Sequence, residues 1–340
     1  MPHVAIVILN YNGRKYLEQF LPAVLTHSAG HSVWVADNAS TDDSLPWLHA
    51  HFPEVPTLRL TQNKGYAGGY NEALRAIPAD YYVLLNSDVE ITPGWVEPVV
   101  ALLEADRRIA ACQPKVLAYH QRTHFEYAGA AGGYLDYLGY PFCRGRIFDT
   151  CEQDLGQYND VRSVFWATGA CLFVRASAFQ EVGGFDERFF AHMEEIDLCW
   201  RWQRAGLRIM YCGQSTVYHV GGGTLHKSNP RKTFLNYRNN LLMLYKNLPA
   251  RRRWATLLAR LVLDGLSSVR FMMAGAWPDV LAILKAHSAF YGLVGALHKE
   301  EKARPKAGPS SVALYPRSVV WEYFGKGRKT FPKLPQSGAL

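Results

Sequence analysis

Between residues 4 and 90 the chain passes four times from a short apolar run into a polar loop, and this repetition leaves few folds open to it. The runs are Val4-Ala-Ile-Val-Ile-Leu9, Ser32-Val-Trp-Val-Ala36, Pro56-Thr-Leu-Arg-Leu60 and Tyr82-Val-Leu-Leu85, with helical stretches expected between them at about residues 14–27, 44–52 and 69–77. Strands alternating with helices make an α/β fold with a mostly parallel sheet. Tyr82 to Leu85 lack polar alternation, as expected of a strand covered on both faces. Open sheets of this kind bind ligands beyond the carboxyl ends of their strands. The polar clusters fall on that edge: Asn10-Tyr-Asn-Gly13, Asp37-Asn-Ala-Ser40, Asn63-Lys-Gly-Tyr-Ala-Gly-Gly-Tyr-Asn71 and Asn86-Ser-Asp88.

Each cluster has a chemical and a structural reading. A carboxylate at a strand end, Asp88, can hold a divalent cation against a diphosphate, while Asn-Ser-Asp is also a common turn or helix cap. Gly65, Gly68 and Gly69 permit close backbone approach, and the helix they open offers N–H groups to an anion; the same glycines suit tight packing of the helix start. Further on, the acids of Glu194-Glu-Ile-Asp197 read as the first turn of a helix, where the dipole favours negative charge. Asp197 can pair with Arg201 one turn later.

The ordered motifs Asn-Tyr-Asn-Gly, Asp-Asn-Ala-Ser-Thr-Asp, Asn-x-Gly-Tyr-Ala-x-Gly-x-Asn and Leu-Asn-Ser-Asp are followed by Gly183-Gly-Phe-Asp-Glu187 and Glu194-Glu-Ile-Asp-Leu-Cys-Trp-Arg201. Together, over residues 3–247, they resemble family 2 glycosyltransferases, most of all the rhamnosyltransferase-like branch. The resemblance implies a GT-A fold and a metal-dependent, inverting transfer from a nucleoside diphosphate sugar, dTDP-rhamnose or a UDP-sugar, to a lipid-linked or cell-envelope glycan. It places the nucleobase at Asp37, whose carboxylate can accept the ring N–H that uracil and thymine share; the alternative is a cap on the turn into Ser40-Thr-Asp42. Asn10 and Tyr11 would wall the base and ribose. Asn38, Asn63, Gly65, Gly68, Asn86, Ser87 and Asp88 complete the implied donor edge.

Trp166, with Thr168 and Gly169, resembles the strand lining the donor sugar, although an aromatic there equally suits a core. Arg231 and Arg238 are expected to reach the diphosphate or to lie on a solvated helix face. Asp88 and His219 are the implied ligands of Mg²⁺ or Mn²⁺; a lone strand histidine is otherwise structural. Asn86 stands where the family often has Asp, which removes one charge from that site. The second acid of the family's Glu-Asp pair is its general base. Here that position is Glu195, one methylene longer, with Glu194 as its rival and Asp197 as a third candidate.

Charge is unevenly placed, with fifteen Lys/Arg against five Asp/Glu in residues 251–340 and near balance before them. Residues 1–250 are therefore read as the catalytic domain, 251–300 as a basic amphipathic helical segment and 301–340 as a basic, partly mobile tail with a docking patch at Val319 to Phe324. Arg260, Asp264, Arg270, Asp279 and Lys285 interrupt the apolar runs, so no uncharged stretch approaches the ~18 residues of a spanning helix. Such helices suit either an anionic membrane surface or packing on the catalytic domain or a second subunit in a homodimer. The basic tail lacks the aromatics and motifs of nucleic-acid binding. The six cysteines show no metal-finger spacing, and Met1-Pro-His-Val begins no signal-type segment, so the expected location is cytoplasmic, with peripheral attachment to the inner face of the cytoplasmic membrane. No Gly-x-Gly-x-x-Gly follows the first strand, which argues against a nucleotide-dependent oxidoreductase. A non-catalytic sugar-nucleotide-binding or scaffold protein of the same fold remains the alternative.

Overall fold

The computed structural model describes residues 2–221, 229–303 and 312–336. Its first part alternates strands and helices: β1 (Val4–Asn10), α1 (Arg14–His27), β2 (Ser32–Asp37), α2 (Ser44–His51), β3 (Thr57–Arg59), α3 (Gly65–Ala76), β4 (Tyr81–Asn86), β5 (Val89–Ile91) and α4 (Glu97–Ala105). Next come β6 (Ile109–Ala118) and four short strands, β7 (Gly133–Leu135), β8 (Pro141–Cys143), β9 (Arg146–Ile147) and β10 (Thr150–Cys151). The rest comprises β11 (Val161–Val164), β12 (Cys171–Arg175), α5 (Ala176–Glu181), α6 (Glu194–Arg204), β13 (Arg208–His219), α7 (Pro230–Asn247), α8 (Ala250–Met273) and α9 (Trp277–Ala303).

The main sheet runs β11-β13-β6-β12-β4-β1-β2-β3, with β5 paired to β13. Strands β1, β2, β3, β4, β6 and β13 point one way, while β5, β11 and β12 oppose them. The expected mostly parallel α/β sheet is therefore present. Alternation along β4 explains its apolar run: Tyr82 and Leu84 enter a core shared with α3, α6 and α7, and Tyr81, Val83 and Leu85 enter a second core beneath α1, α2 and α4. Full burial of such side chains contributes ~1.5–3 kcal/mol each, so both faces of β4 hold the sheet between the helical layers.

The order brings the carboxyl ends of β1, β2, β4 and β13 to one edge. Strand β13 reaches it only after an irregularity between Cys212 and Thr216, where its register against β6 shifts. Bulges of this kind re-aim the side chains beyond them, and β13 then delivers His219 opposite Val89 of β5.

Strands β7 to β10 form a separate antiparallel sheet, and the described tail residues 312–336 pack against it. Tyr315 donates its N–H to the Leu135 carbonyl at 2.9 Å, Val319 donates to Asp136 Oδ2 at 2.9 Å, and Phe331 donates to Glu152 Oε1 at 2.8 Å. Tyr315, Val319, Tyr323, Phe331 and Leu334 are buried in the core, which offsets the entropy of ordering the segment. Within the expected docking patch, Val319 and Tyr323 face inward and Trp321 and Phe324 are exposed. The remaining tail residues, 304–311 and 337–340, and Gly222 and Gly223 of the glycine run lie outside the described residues.

The segment read as basic and helical, residues 251–300, is covered almost entirely by α8 and α9. Residues 277–302 of α9 have the length and mean hydropathy of a membrane span, although Asp279 and Lys285 still interrupt the run as the sequence reading has it. One side of α9 nevertheless serves the core, since Ile283, Ala286 and Phe290 are buried.

Candidate active site

The first two polar loops are bonded to each other. Asn10 Nδ2 donates to Asp37 Oδ1 and to Ser40 Oγ, both at 3.1 Å, and the Ser40 N–H donates to Asp37 Oδ2 at 3.0 Å. Asn12 joins them, its Oδ1 accepting the Thr41 N–H at 2.7 Å, with Asn12 and Ala39 both in the left-handed region. Asp37 has no exposed surface, so its carboxylate clasps the turn, as in the capping reading; Tyr11 remains half-buried beside it. Asn38 ties in the third loop. Its Nδ2 donates to Asn63 Oδ1 at 3.1 Å and to the Gly65 carbonyl at 3.0 Å, while its Oδ1 accepts the Lys64 N–H at 2.9 Å.

The start of α3 differs from the expected open anion cradle. The Gly65 N–H is taken by Asn63 Oδ1 at 2.8 Å and the Ala67 N–H by the Phe190 carbonyl at 3.1 Å. Gly65 has φ +67°, and a Cβ there would stand 2.3 Å from the Phe190 oxygen. Its glycine is thus required for close approach of the Phe190 loop, and Gly68 packs against Lys64 in the same turn.

Asp88 and His219 meet at the sheet edge. His219 Nε2 lies 3.2 Å from Asp88 Oδ1, and its Nδ1 lies 3.2 Å from Glu126 Oε2. The Val220 N–H donates to the Asp88 carbonyl at 3.0 Å, fixing the two strand ends together. Burial opposes a charge on His219, yet the carboxylates of Glu126 and Asp88 raise its imidazole to about 10. Burial likewise opposes the Asp88 charge, and His219 holds that carboxyl below its usual range. Among the described residues no three acidic, histidine or cysteine side chains form a ready-made cation cage. One carboxylate oxygen and one imidazole nitrogen fit a divalent ion that shares its remaining positions with phosphate oxygens, provided the ion displaces the proton that His219 holds against Asp88. Glu126, behind the ring, suits the orienting partner that metal-bound histidines use. Nothing in its sequence context points to Glu126; it lies in the long loop after β6.

The acidic pair opens α6 as expected. Glu194 is buried and Glu195 half-buried, and an Oε2 of each is enclosed without a hydrogen-bond partner among the described residues. Burial raises both carboxyls, and repulsion from Glu195 raises Glu194 further. Carboxyls so perturbed are suited to proton transfer near neutral pH. The backbone leading to them is strained: Phe190, His192 and Met193 have φ of 63°, 71° and 71°. Such conformations cost on the order of 1–3 kcal/mol each and persist only where the surroundings over-determine them.

Asn239 of α7 supplies the restraint, its Nδ2 reaching the carbonyls of Phe189, Ala191 and His192 at 2.8, 2.8 and 2.7 Å. Arg238 adds a bond from Nη2 to the Arg188 carbonyl at 2.7 Å. Its guanidinium is therefore committed to the loop and not to a solvated face. Arg231 is exposed, its guanidinium 4.9 Å from the centre of the Phe190 ring.

Tyr66 links the two halves of the site. Its hydroxyl donates to the Gly169 carbonyl at 2.7 Å, and Glu194 and Glu195, after burial and Tyr70, help to raise its phenol. Gly169 is followed by Ala170, whose carbonyl accepts the Asn86 N–H at 3.0 Å. Hydrogen bonds thus connect the Asn86 strand end to the Gly169 segment and Tyr66, whose phenol feels the charges of the acidic pair.

Two expected residues lie off this path. Trp166 is core: it is 3% exposed, its Nε1 donates to the Tyr134 carbonyl at 2.9 Å, and its ring covers Gly133, where a Cβ would stand 2.0 Å away. Asp197 is fully buried and saturated by Arg201 Nε at 2.9 Å, Lys246 Nζ at 2.8 Å and Asn247 Nδ2 at 2.8 Å. It anchors α6 to α7, leaving Glu194 and Glu195 as the acids free for chemistry.

The family model described as glycosyl transferase family 2 matches residues 5–183. N-acetylglucosaminyl-diphospho-decaprenol L-rhamnosyltransferase of Mycobacterium tuberculosis is 29% identical over 230 residues, covering 63% of this chain and 75% of that protein. Rhamnosyltransferase WbbL of Escherichia coli is 26% identical over 216 residues, covering 61% and 80%. Among solved structures, GalNAc-T7 with UDP, GalNAc and Mn²⁺ superposes with a TM-score of 0.53 at 16% identity, over 64% of this chain and 43% of that one. TarS of S. aureus, residues 1–349 with UDP, gives 0.50 at 14% identity over 85% and 91%. These likenesses establish a shared fold, the GT-A architecture.

Proposed function

The chain belongs to glycosyl transferase family 2, in its rhamnosyltransferase-like branch, and we propose that it moves a sugar from dTDP-rhamnose or a UDP-sugar to a hydroxyl of a lipid-linked or cell-envelope glycan, with inversion. The observation that carries the mechanism is the enclosed acidic pair with unpartnered oxygens at the start of α6.

Glu195 accepts the proton of the acceptor hydroxyl while the hydroxyl oxygen bonds to the anomeric carbon. The bond from that carbon to the diphosphate oxygen breaks on the opposite side, so the centre inverts without a covalent enzyme intermediate. General-base assistance of this kind is worth ~10²- to 10⁴-fold. Burial and the neighbouring Glu195 charge favour the neutral form of Glu194, which leaves Glu195 as the proton acceptor in this reading. Asp88 and His219 would hold Mg²⁺ or Mn²⁺, which neutralises the departing diphosphate when bound. Glu126 would orient the His219 ring, and Arg231 would meet the donor phosphates.

A lipid-linked acceptor is supported by the diphospho-decaprenol in the relative's name. The test is a panel of nucleotide sugars assayed for hydrolysis and for transfer, with Mn²⁺, with Mg²⁺ and in EDTA. Turnover of one donor that requires the cation supports the reading. Cation-independent turnover overturns its metal component, and binding without turnover of any donor returns the chain to a binding or scaffold role.

A further inference from the structure

Helices α8 and α9 are amphipathic in the opposite sense from ordinary surface helices. Between Trp254 and Val269 no exposed position of α8 carries a charge. The charged side chains are the ones turned inward: Arg253 pairs with Glu301, and Arg260 and His287 both meet Asp264 at 3.1 Å beneath the helices. Outward stand Leu258, Val262, Leu266 and Met273 of α8 and Leu281 and Leu284 of α9, from 56% to 85% exposed. Between Trp277 and Ala296 the sole exposed charge on α9 is Lys285. Scattered exposed leucines are ordinary, but a continuous apolar band across two adjacent helices marks an interaction surface.

We infer that this band seats the protein on an anionic lipid bilayer. The flanks select lipid over a second copy of the chain: Arg251, Arg252, Arg270, Lys285, Lys299 and Lys302 are exposed around the band, whereas Glu300 and Glu301 are bonded to Arg188 and Arg253. Two such faces pressed together would set cations against cations. Anionic headgroups would neutralise them, at ~1 kcal/mol for each basic residue near the surface. The helices lie in the headgroup boundary and do not cross it, because the inner side of α9 stays packed through Ile283, Ala286 and Phe290.

The placement of the hairpin extends the proposed function and rests on it in this respect. Thr233 Oγ1 donates to Asp279 Oδ1 at 2.5 Å, so the hairpin tip is fastened to α7 two residues from Arg231, which lies against the Phe190 ring of the loop before the acidic pair. A lipid-linked acceptor held in the same bilayer would therefore meet the enzyme at that end.

The experiment is flotation of the full chain with phosphatidylcholine vesicles, with and without phosphatidylglycerol. Native protein should float with the anionic vesicles. Leu258→Glu combined with Leu266→Glu, at exposed positions that the fold tolerates, should reduce bound protein at least ~10-fold; Arg251→Ser with Arg252→Ser should weaken binding in proportion to the anionic lipid. Flotation unchanged by the glutamates overturns the inference, as does no flotation at all. A concentration-dependent dimer that the glutamates dissolve, without lipid binding, assigns the band to a second copy instead. Nucleotide-dependent thermal stabilisation and donor hydrolysis, measured on the same samples without lipid, separate this outcome from failure of the glycosyltransferase reading.

Discussion

The side-chain amide of Asn239 lies 2.7 Å from the His192 carbonyl, two residues before the first acid of α6. It holds three carbonyls of a segment in which three non-glycine residues have positive φ. Asn239→Ala should let that backbone relax and displace Glu195. Since displacement of a reacting group by about 1 Å can cost ~10²-fold, kcat is expected to fall 10- to 100-fold while the affinity for nucleoside diphosphate, measured by calorimetry, stays within about twofold. Parallel loss of both would mean that Asn239 only supports the fold.

Glu195→Gln keeps size and hydrogen bonding but removes the proton acceptor. Transfer should fall by ~10²-fold or more with donor binding retained, and Glu194→Gln should do less. Burial raises the Glu195 carboxyl. The deprotonated form is the active one, so kcat should climb with pH through a limb displaced upward from the ordinary glutamate range, and this limb should be absent from the residual activity of Glu195→Gln. Reversed effects of the two substitutions would make Glu194 the base.

Asp88→Ala should abolish transfer and remove any stabilisation by nucleoside diphosphate that depends on Mn²⁺ or Mg²⁺. His219→Ala should raise the cation concentration required. Glu126→Gln tests the orienting role, with apparent cation affinity expected to drop ~10- to 100-fold. A cation titration identical to that of the native protein would confine Glu126 to the fold.

Asp197→Asn should act on stability rather than on chemistry. Breaking a buried ion pair costs ~3–5 kcal/mol, and the lower end applies because Lys246 keeps Asp186 at 2.7 Å. Burial opposes the Asp197 charge, but Lys246 and Arg201 hold the carboxyl low. Its contribution is therefore present above the usual carboxylate range and lost as pH falls through the lowered value. Urea unfolding at neutral pH should show the deficit, with activity per folded molecule largely intact.

Local patterns carried the strands and the first two helices, because apolar runs and turn residues report on backbone geometry within a few positions. Strand β1 and helix α1 lie where the pattern predicts. Helix α3 begins four residues earlier than expected, since Asn63 and the distant Phe190 carbonyl satisfy its first N–H groups. Distance in the chain also hid Glu126 and Asn239. Neither sits in a motif, and each acquires its role only when β13 or α7 returns to the sheet edge. The left-handed turn at Phe190 and Met193 has no glycine to announce it. Trp166 and Asp197 were ambiguous for the opposite reason: their residue types suit a site and a core equally, and only burial and partners separate the two.

The contacts of Val319 with Asp136 and of Phe331 with Glu152 span 183 and 179 positions of sequence. The small β7–β10 sheet therefore cannot close while the chain is emerging from the ribosome in order; its apolar face stays open until the last of these residues has been made. Loop closure over such distances is slow, and surfaces left exposed meanwhile attract chaperones or aggregate. Ribosome stalling before residue 315 should thus yield a nascent chain whose first strands resist protease while Tyr134 and Phe142 remain accessible, and yield in a host should depend on the interval between synthesis of the sheet and synthesis of its cover.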